Sequence, residues 1–517
     1  MSSAFRRTLP ARPDLDQQRK LAKDLLRAFR RDEPDAVARM RAELPDKRAL
    51  SLADAQFVLA REYGFESWRE LKSHIEARIV ESLPPLERFK RAVQTDDAVS
   101  LGALLAEAPE VRARVNDPIF AFDCPALVAA SGRSVELVDV LLQYGADPNR
   151  KSDWWAGGFH PLYDATPAVA ERLLAAGAVP DACAAASLDR PDLLATMLAE
   201  RPERVHERGG DGKMPLHFAR SRRVADMLLD AGADIDARDL DHRSTAAEWM
   251  VGDPPDTGRP ALARYLVERG TTADIFLVAA LGLTARATTL LEADRSLLNL
   301  RTSQGTYAEQ PPSSFHIYQW TIGPNLSPLQ VAAKFGHEET LSAMERFASP
   351  TQRFMLACHR GDRDSARRIV TEHPEMMQQL APNDRRALAD EAWAANSPAV
   401  ELMLELGFDP ALPGGPGHTG GTALHCAAWE GSVDCVTSIL RYPTGRAIVD
   451  VRDRTHHGTP LGWCAHGSAN VGNPRADHAR VARILIEAGA MVEAGLANVG
   501  SDAFRGVIED VLGTVGG

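Results

Sequence analysis

At 517 residues, 44% of them hydrophobic, the chain exceeds what one compact core organises, so it reads as several domains or as a stacked array. Its formal net charge of −12 weighs against general nucleic-acid binding, whose affinity comes from neutralising phosphates. Six scattered cysteines (Cys124, Cys183, Cys358, Cys426, Cys435, Cys464), most of them in expected helices, point to reduced thiols in a cytoplasmic protein and exclude a dense disulfide framework.

Residues 1–13 carry no apolar run of the kind that heads a secretory signal and are expected to be a flexible N-terminus. The longest apolar run in the chain, Ile275 to Leu283, is far shorter than the ~20 residues a membrane span needs, so no membrane association is expected. Residues 1–50 hold thirteen Lys/Arg against eight Asp/Glu, which leaves a balance of −17 for the rest. Such a basic face could meet an acidic partner, but solvated helix surface is the simpler account.

Residues 14–85 form a helical segment in this reading. Leu21, Leu25, Ala28 and Phe29 recur at helical spacing, and Val37, Met40 and Leu44 mark a second helix after Asp32-Glu-Pro34. Ser51 to Tyr63 and Phe65 to Ile75 follow as a pair around Gly64.

From residue 86 a three-part pattern repeats. Pro125-Ala-Leu-Val-Ala-Ala-Ser-Gly132 is followed by Val135-Glu-Leu-Val-Asp-Val-Leu-Leu142 and closed by Gly145-Ala-Asp-Pro-Asn149. It returns as Met214-Pro-Leu-His-Phe-Ala219 with Gly232-Ala-Asp-Ile-Asp236, and most fully as Gly421-Thr-Ala-Leu-His-Cys-Ala-Ala428 with Gly431-Ser-Val-Asp-Cys-Val436. Thr-Pro or a substitute opens a helix by capping its free N–H groups. Small alanines let paired helices approach, and Gly132 and Gly431 are expected to end the first helix in the left-handed conformation. Val-x-x-Leu-Leu then aligns the apolar stripe of a second helix. No single unit buries its own apolar faces, so stacking is obligatory.

A Thr-Pro-Leu-His-x-Ala motif at a period of roughly 33 residues resembles the ankyrin repeat. The resemblance implies an all-α ankyrin-repeat solenoid of about twelve irregular helix-turn-helix units, with the helical segment at 14–85 as an N-terminal cap. That segment is similar to one that precedes the repeats in many bacterial ankyrin-repeat proteins, and Trp68 in it is expected to pack against the next repeat. The repeats are expected in two blocks, 86–302 and 326–496, separated by a long aromatic insertion at 303–325 and closed by a C-terminal cap at 497–517.

Two fingers between helices stand out. Lys151-Ser-Asp-Trp-Trp-Ala-Gly-Gly-Phe-His160 cannot turn both tryptophans inward. The insertion groups Tyr307, Phe315, His316, Tyr318 and Trp320, and its alternation from Phe315 to Trp320 suits an extended hairpin. Long ordered loops are more often functional than idle, although these aromatics could equally seal an edge between mis-stacked units. The ankyrin resemblance implies partner contacts at finger tips and first helices along the concave face. Trp154, Trp155, Phe159, Tyr307, Phe315, Tyr318 and Trp320 are the expected partner-binding residues, joined by Trp429 and Trp463 on late first helices.

Catalytic signatures are sparse. His217 and His425 sit at the fourth position of the repeat motif, a structural place. His456, His457, Cys464 and His466 lack metal-ligand spacing, and Gly414 to Gly421 lacks the Gly-Lys-Ser/Thr ending of a phosphate loop, so no metal and no cofactor are expected. The expected function is binding of a protein or peptide partner. The alternative is an enzyme acting on a peptide or a small-molecule ligand between the fingers, with His160, Asp153, His316 and Glu309 as its acid–base candidates, because histidine titrates near neutrality.

Overall fold

The computed structural model describes residues 5–10, 13, 15–47, 49–252, 259–302, 317–414 and 420–515. Among them every regular element is helical, and the one β-bridge, Phe120 with Cys124, closes a turn. The chain divides into two compact units, residues 1–113 with 509–517, and residues 114–508.

In the first unit, helices Leu15–Arg30, Pro34–Glu43 and Leu52–Glu62 surround a core of Leu25, Leu26, Met40, Val58 and Leu59. Helix Trp68–Ser82 adds Leu71 and Ile75. Trp68 packs against these clusters, inside the N-terminal helices themselves. One strongly polar contact is buried here. Arg39 donates from Nε and Nη2 to the two oxygens of Glu62, at 2.8 and 3.0 Å, and Glu62 is almost fully buried. A bidentate guanidinium is the geometry that best offsets the desolvation of a carboxylate. Part of the basic excess at the N-terminus is thus spent inside the unit. Helices Pro85–Gln94 and Ala98–Glu107, expected to open the repeats, belong to this unit as well.

The second unit is a stack of helix pairs in which sequence-adjacent first helices touch. Ala182–Ser187 packs on Pro215–Phe218, which packs on Ala246–Met250, and Ala387–Trp393, Ala423–Trp429 and Pro460–Asn470 form a like series. The reason is composition: all six residues of Ala182–Ser187 and all seven of Ile275–Leu281 are buried. At about 1.5–3 kcal/mol for each large apolar side chain taken from water, the Ile275–Leu281 helix alone favours stacking by several kcal/mol. Helix starts are capped as expected; Asp181 accepts from Ala184 N at 2.8 Å, and Ser327 and Gln330 form a reciprocal capping box.

Helix ends show a device that the repeat pattern only hints at. Gly282 and Gly431 both take φ +66°, and a Cβ on either would collide with an imidazole, His337 at 2.6 Å or His478 at 2.8 Å. Those imidazoles reach from the following unit to the last free carbonyls, His337 Nε2 to Ala280 O at 2.9 Å and His478 Nε2 to Trp429 O at 2.8 Å. Asn396 does the same for His359 O, at 2.7 Å, across Gly361. At these three junctions the following unit caps its predecessor. Gly132 departs from expectation: it lies outside the left-handed region, and a Cβ there would meet only Asp164 O at 3.8 Å.

First helices on either side of the long insertion, Ile275–Leu281 and Pro328–Lys334, pack directly against each other. The extended hairpin expected over Phe315 to Trp320 is not formed where the chain is described, since Ile317–Thr321 is a short helix against Ala246–Met250. Burial of Ile317 and Tyr318 on one side decides that periodicity.

Candidate partner surface at the finger tips

Four fingers in the second unit are joined edge to edge. The first, Phe120 to Cys124, closes with Phe120 N donating to Cys124 O at 3.1 Å, and holds Phe122 and Asp123 at positive φ. Non-glycine residues are uncommon there, and the result is that Phe122 is thrust outward, 54% exposed.

The second finger runs from Arg150 to His160. Ser152 N donates to Phe159 O at 2.9 Å, Gly157 N to Trp154 O at 3.0 Å, and Asp153 N reaches back to Asp123 O at 3.1 Å. Arg150 clamps Asp153 through both Nη atoms. Trp154 meets Phe122 edge to face, 5.3 Å between centroids, and Trp155, its ring centroid 6.1 Å from that of Trp154, is 66% exposed.

The third finger, Arg208 to Lys213, makes room for the second. A Cβ on Gly210 would lie 2.4 Å from the Phe159 ring, and one on Gly157 would lie 2.3 Å from Gly209 O. The fourth hangs on the third, with Leu240 N and Asp241 N both donating to Asp211 O at 3.0 and 3.1 Å. Leu240 is 39% exposed at its tip.

A cation lies under this edge. The Lys213 ammonium stands 4.2 Å from the Trp249 ring centroid, 5.2 Å from Phe218 and 5.9 Å from Phe159, with Asp211 at 3.2 Å. Enclosed cation–π contacts of this kind are worth up to about 2 kcal/mol. Trp249 is in turn fixed by Nε1 donating to Asp239 at 2.9 Å, and Asp239 also accepts from Ser244 N.

The human ASB11 ankyrin repeat domain is 16% identical, covering 60% of this chain and 99% of that one, at a TM-score of 0.25. No curated protein matches. The family described as ankyrin repeat matches residues 211–240 and 419–454, the same segments that carry the fingers and first helices at Pro215–Phe218 and Ala423–Trp429. The chain carries ankyrin repeats.

Ankyrin repeats generally mediate protein–protein interaction, and in the repeats of this chain the motif histidines serve the fold. His217 Nδ1 accepts from Met214 N and its Nε2 meets Ser244 O at 3.0 Å; His425 bridges Thr422 and Gly458 O. Burial pushes His217 down to about 4, so it is a neutral spacer between adjacent fingers at physiological pH.

The residues expected to meet a partner separate into groups. Trp155 is exposed, Trp154 and Phe159 are half-buried, and Trp320 is 68% exposed at the end of its short helix. Tyr307 and Phe315 lie outside the described residues. Tyr318 is a core residue, since its ring packs 5.5 Å from Phe276 and its hydroxyl meets Asp274. Trp463 is also core: its Nε1 donates to Asp453 at 2.9 Å and its ring packs on His425. Trp429 is half-buried between Trp393 and Trp463, stacked on Trp393 at 6.1 Å and 10°.

The acid–base candidates do not assemble where they are described. His160 is buried, its Nδ1 accepts from Leu162 N at 3.0 Å, and burial pushes its pKa down to about 4. Asp153 is exposed and committed to Arg150, which holds it below the usual carboxylate range. His316 and Glu309 lie outside the described residues. Among the described residues, no three His, Cys, Asp or Glu side chains converge as metal ligands, and no helix is long and apolar enough to cross a membrane.

Sequence reasoning missed Phe122 and Leu240. Each sits at the tip of a short finger, Leu240 between two aspartates and Phe122 beside Asp123, and the only available signal was an apolar residue where the repeat usually turns.

Proposed function

We propose that the protein binds a protein or peptide partner along the edge made by these four fingers, with Trp155 as the central anchor. Phe122 and Leu240 flank it, and Trp154 supports it from beneath. The observation that carries this reading is the exposure of three large apolar tips on fingers whose backbones are hydrogen-bonded or wedged together. Rigid exposed tryptophans are the commonest anchors of interfaces, because they bring large area at low entropic cost. The Trp154 ring packs on both Phe122 and Trp155, which holds the anchor in place.

The six buried, unpaired thiols support a reducing, cytoplasmic setting for the encounter. Affinity capture from the source cells with the intact chain and with Trp155→Ala tests the reading. A partner retained by the first and lost by the second, at unchanged melting temperature, is the expected result. An identical set of retained proteins would overturn it.

A further inference from the structure

Three first helices that stack in series, Ala387–Trp393, Ala423–Trp429 and Pro460–Asn470, carry one tryptophan each. Trp393 and Trp429 hold the same place, the last residue of their helices, and their rings run nearly parallel, 6.1 Å apart at 10°. Trp463 is sealed behind them and meets both edge-on, at 86° and 76°. Its indole is tied to Asp453, so the front pair rests on a fixed support. Both front indoles are half-buried, leaving an aromatic ledge that spans two units. Rigid aromatics at a surface are what interfaces anchor on.

Charge around the ledge is one-sided. The three helices contain no lysine or arginine. Asp390 lies one turn before Trp393 on the same side of its helix, and Glu430 directly follows Trp429. Cys426, one turn before Trp429, senses both carboxylates: burial pushes its thiol up, and Asp390 and Glu430 push it further. The two acids therefore stand on the same stretch of the ledge. Burial also pushes the Glu430 carboxyl up, and no cation or hydrogen-bond donor acts against that rise.

The cations nearby are already matched. Arg301 and Lys334 line a cavity of about 380 Å3 that opens beside Trp393. Arg301 is bound to Asp384, and Lys334 lies in the field of Glu391. Asp384, Asp390 and Glu391 of that wall, with Glu430, make four carboxylates against these two cations. Arg386 is the N-cap of Ala387–Trp393, about two turns away from Trp393.

We propose that this ledge docks a basic segment of a partner protein, with an arginine side chain laid flat on the indoles of Trp393 and Trp429 and its charge towards Glu430 and Asp390. A guanidinium is planar and weakly hydrated, so it stacks on an indole face while its edge still offers N–H donors to a carboxylate. A neutral segment lacks the charge, and an acidic one is repelled. The ledge shares no residue with the finger edge.

Fluorescence anisotropy of the intact chain, at about 0.15 M salt to screen long-range attraction, tests it with a dye-labelled peptide of alternating arginine and serine. The same peptide is made with citrulline, the neutral isostere of arginine, and with glutamate. The arginine peptide is expected to bind at least about tenfold more tightly than the citrulline one, and the glutamate peptide not to bind. Trp429→Leu keeps every charge and should weaken the arginine peptide at least about fivefold. Glu430→Gln should weaken it as well, whereas Glu339→Gln, an equal change of net charge at an exposed position on another helix, should not. Trp155→Ala should also leave it unaltered.

No binding of the arginine peptide at millimolar concentration, or equal binding of the arginine and citrulline peptides, would overturn the proposal. Equal losses from Glu430→Gln and Glu339→Gln would also overturn it, by showing attraction to the net charge of the chain alone. A loss caused by Trp155→Ala would do so by moving the peptide to the finger edge. The peptide series needs no mutation, so a tryptophan variant that fails to fold does not blunt the test.

Discussion

The hydroxyl of Tyr318 lies 3.0 and 2.9 Å from the two carboxylate oxygens of Asp274, a residue 44 positions earlier in the chain. Asp274 is itself the N-cap of Ile275–Leu281, accepting from Phe276 N and Leu277 N at 2.9 Å. One buried carboxylate thus caps a first helix and pins the short helix that follows the long insertion. Tyr318→Phe removes the donor and leaves the shape. Urea denaturation should show a loss of about 1–3 kcal/mol, the cost of stripping one partner from a buried acceptor. An unchanged midpoint would mean that the pair contributes nothing.

Glu248 stands close enough to raise this cluster's pH sensitivity. Burial, reinforced by Asp274 and opposed by Arg238, pushes it up to about 8 from a usual 4.5. Folded chains therefore keep a proton that unfolded chains release between those values, and this group's contribution to stability falls as pH rises through that window. Glu248→Gln retains an oxygen for Thr245 N, which Glu248 now accepts at 2.8 Å. Denaturation from pH 5 to 8 should give the variant a flatter profile, by up to about 1.4 kcal/mol per pH unit, and greater relative stability at the alkaline end. His160 and His217, both held near 4, act in the opposite sense, losing stability as pH falls from 6.5 to 4. They are common to both chains and cancel in the comparison.

Gly210 tests whether the fingers are truly wedged. Its φ lies outside the left-handed region, so Gly210→Ala adds a methyl group without backbone strain and drives it into Phe159. Overpacking of this kind costs about 1–3 kcal/mol. Tryptophan emission should also change, because Phe159 and Trp154 both lean on Phe122. A variant with native emission and native melting would show that the ring moves aside freely.

Trp155 and Trp463 make a matched contrast. Trp155→Ala removes an exposed indole and should shift stability by less than about 0.5 kcal/mol. Trp463→Ala empties a site that is 6% exposed and frees Asp453, whose pKa burial raises but which hydrogen bonds from His456 N, Trp463 and Gly458 N hold down at about 2. It should cost about 3–5 kcal/mol. Thermal melts of the two variants side by side check both values, and a Trp463 variant as stable as the Trp155 one would refute the core assignment.

The sequence by itself determined the repeat. Its period, the apolar spacing, the capping residues and the place of His217 and His425 are all set by contacts between residues near in sequence or one unit apart, so a linear pattern records them. It also determined that Trp154 and Trp155 could not both be interior. What it left open was decided by contacts between units. Tyr318 and Trp320 are two residues apart in one aromatic cluster, yet one is sealed against Phe276 and the other is exposed, because only the helix Ile317–Thr321 distinguishes its two sides. Trp463 reads like a surface aromatic until Asp453 and the neighbouring tryptophans enclose it. A cavity lined by Lys334, His359 and Glu391 from three separate helices also draws in Arg301 and Asn325 from the loops before them, and no local spacing encodes that meeting. A stack fixes its periodic parts through neighbours in sequence, whereas its surfaces and hollows depend on how far each unit's loops reach across the next, which only the folded chain specifies.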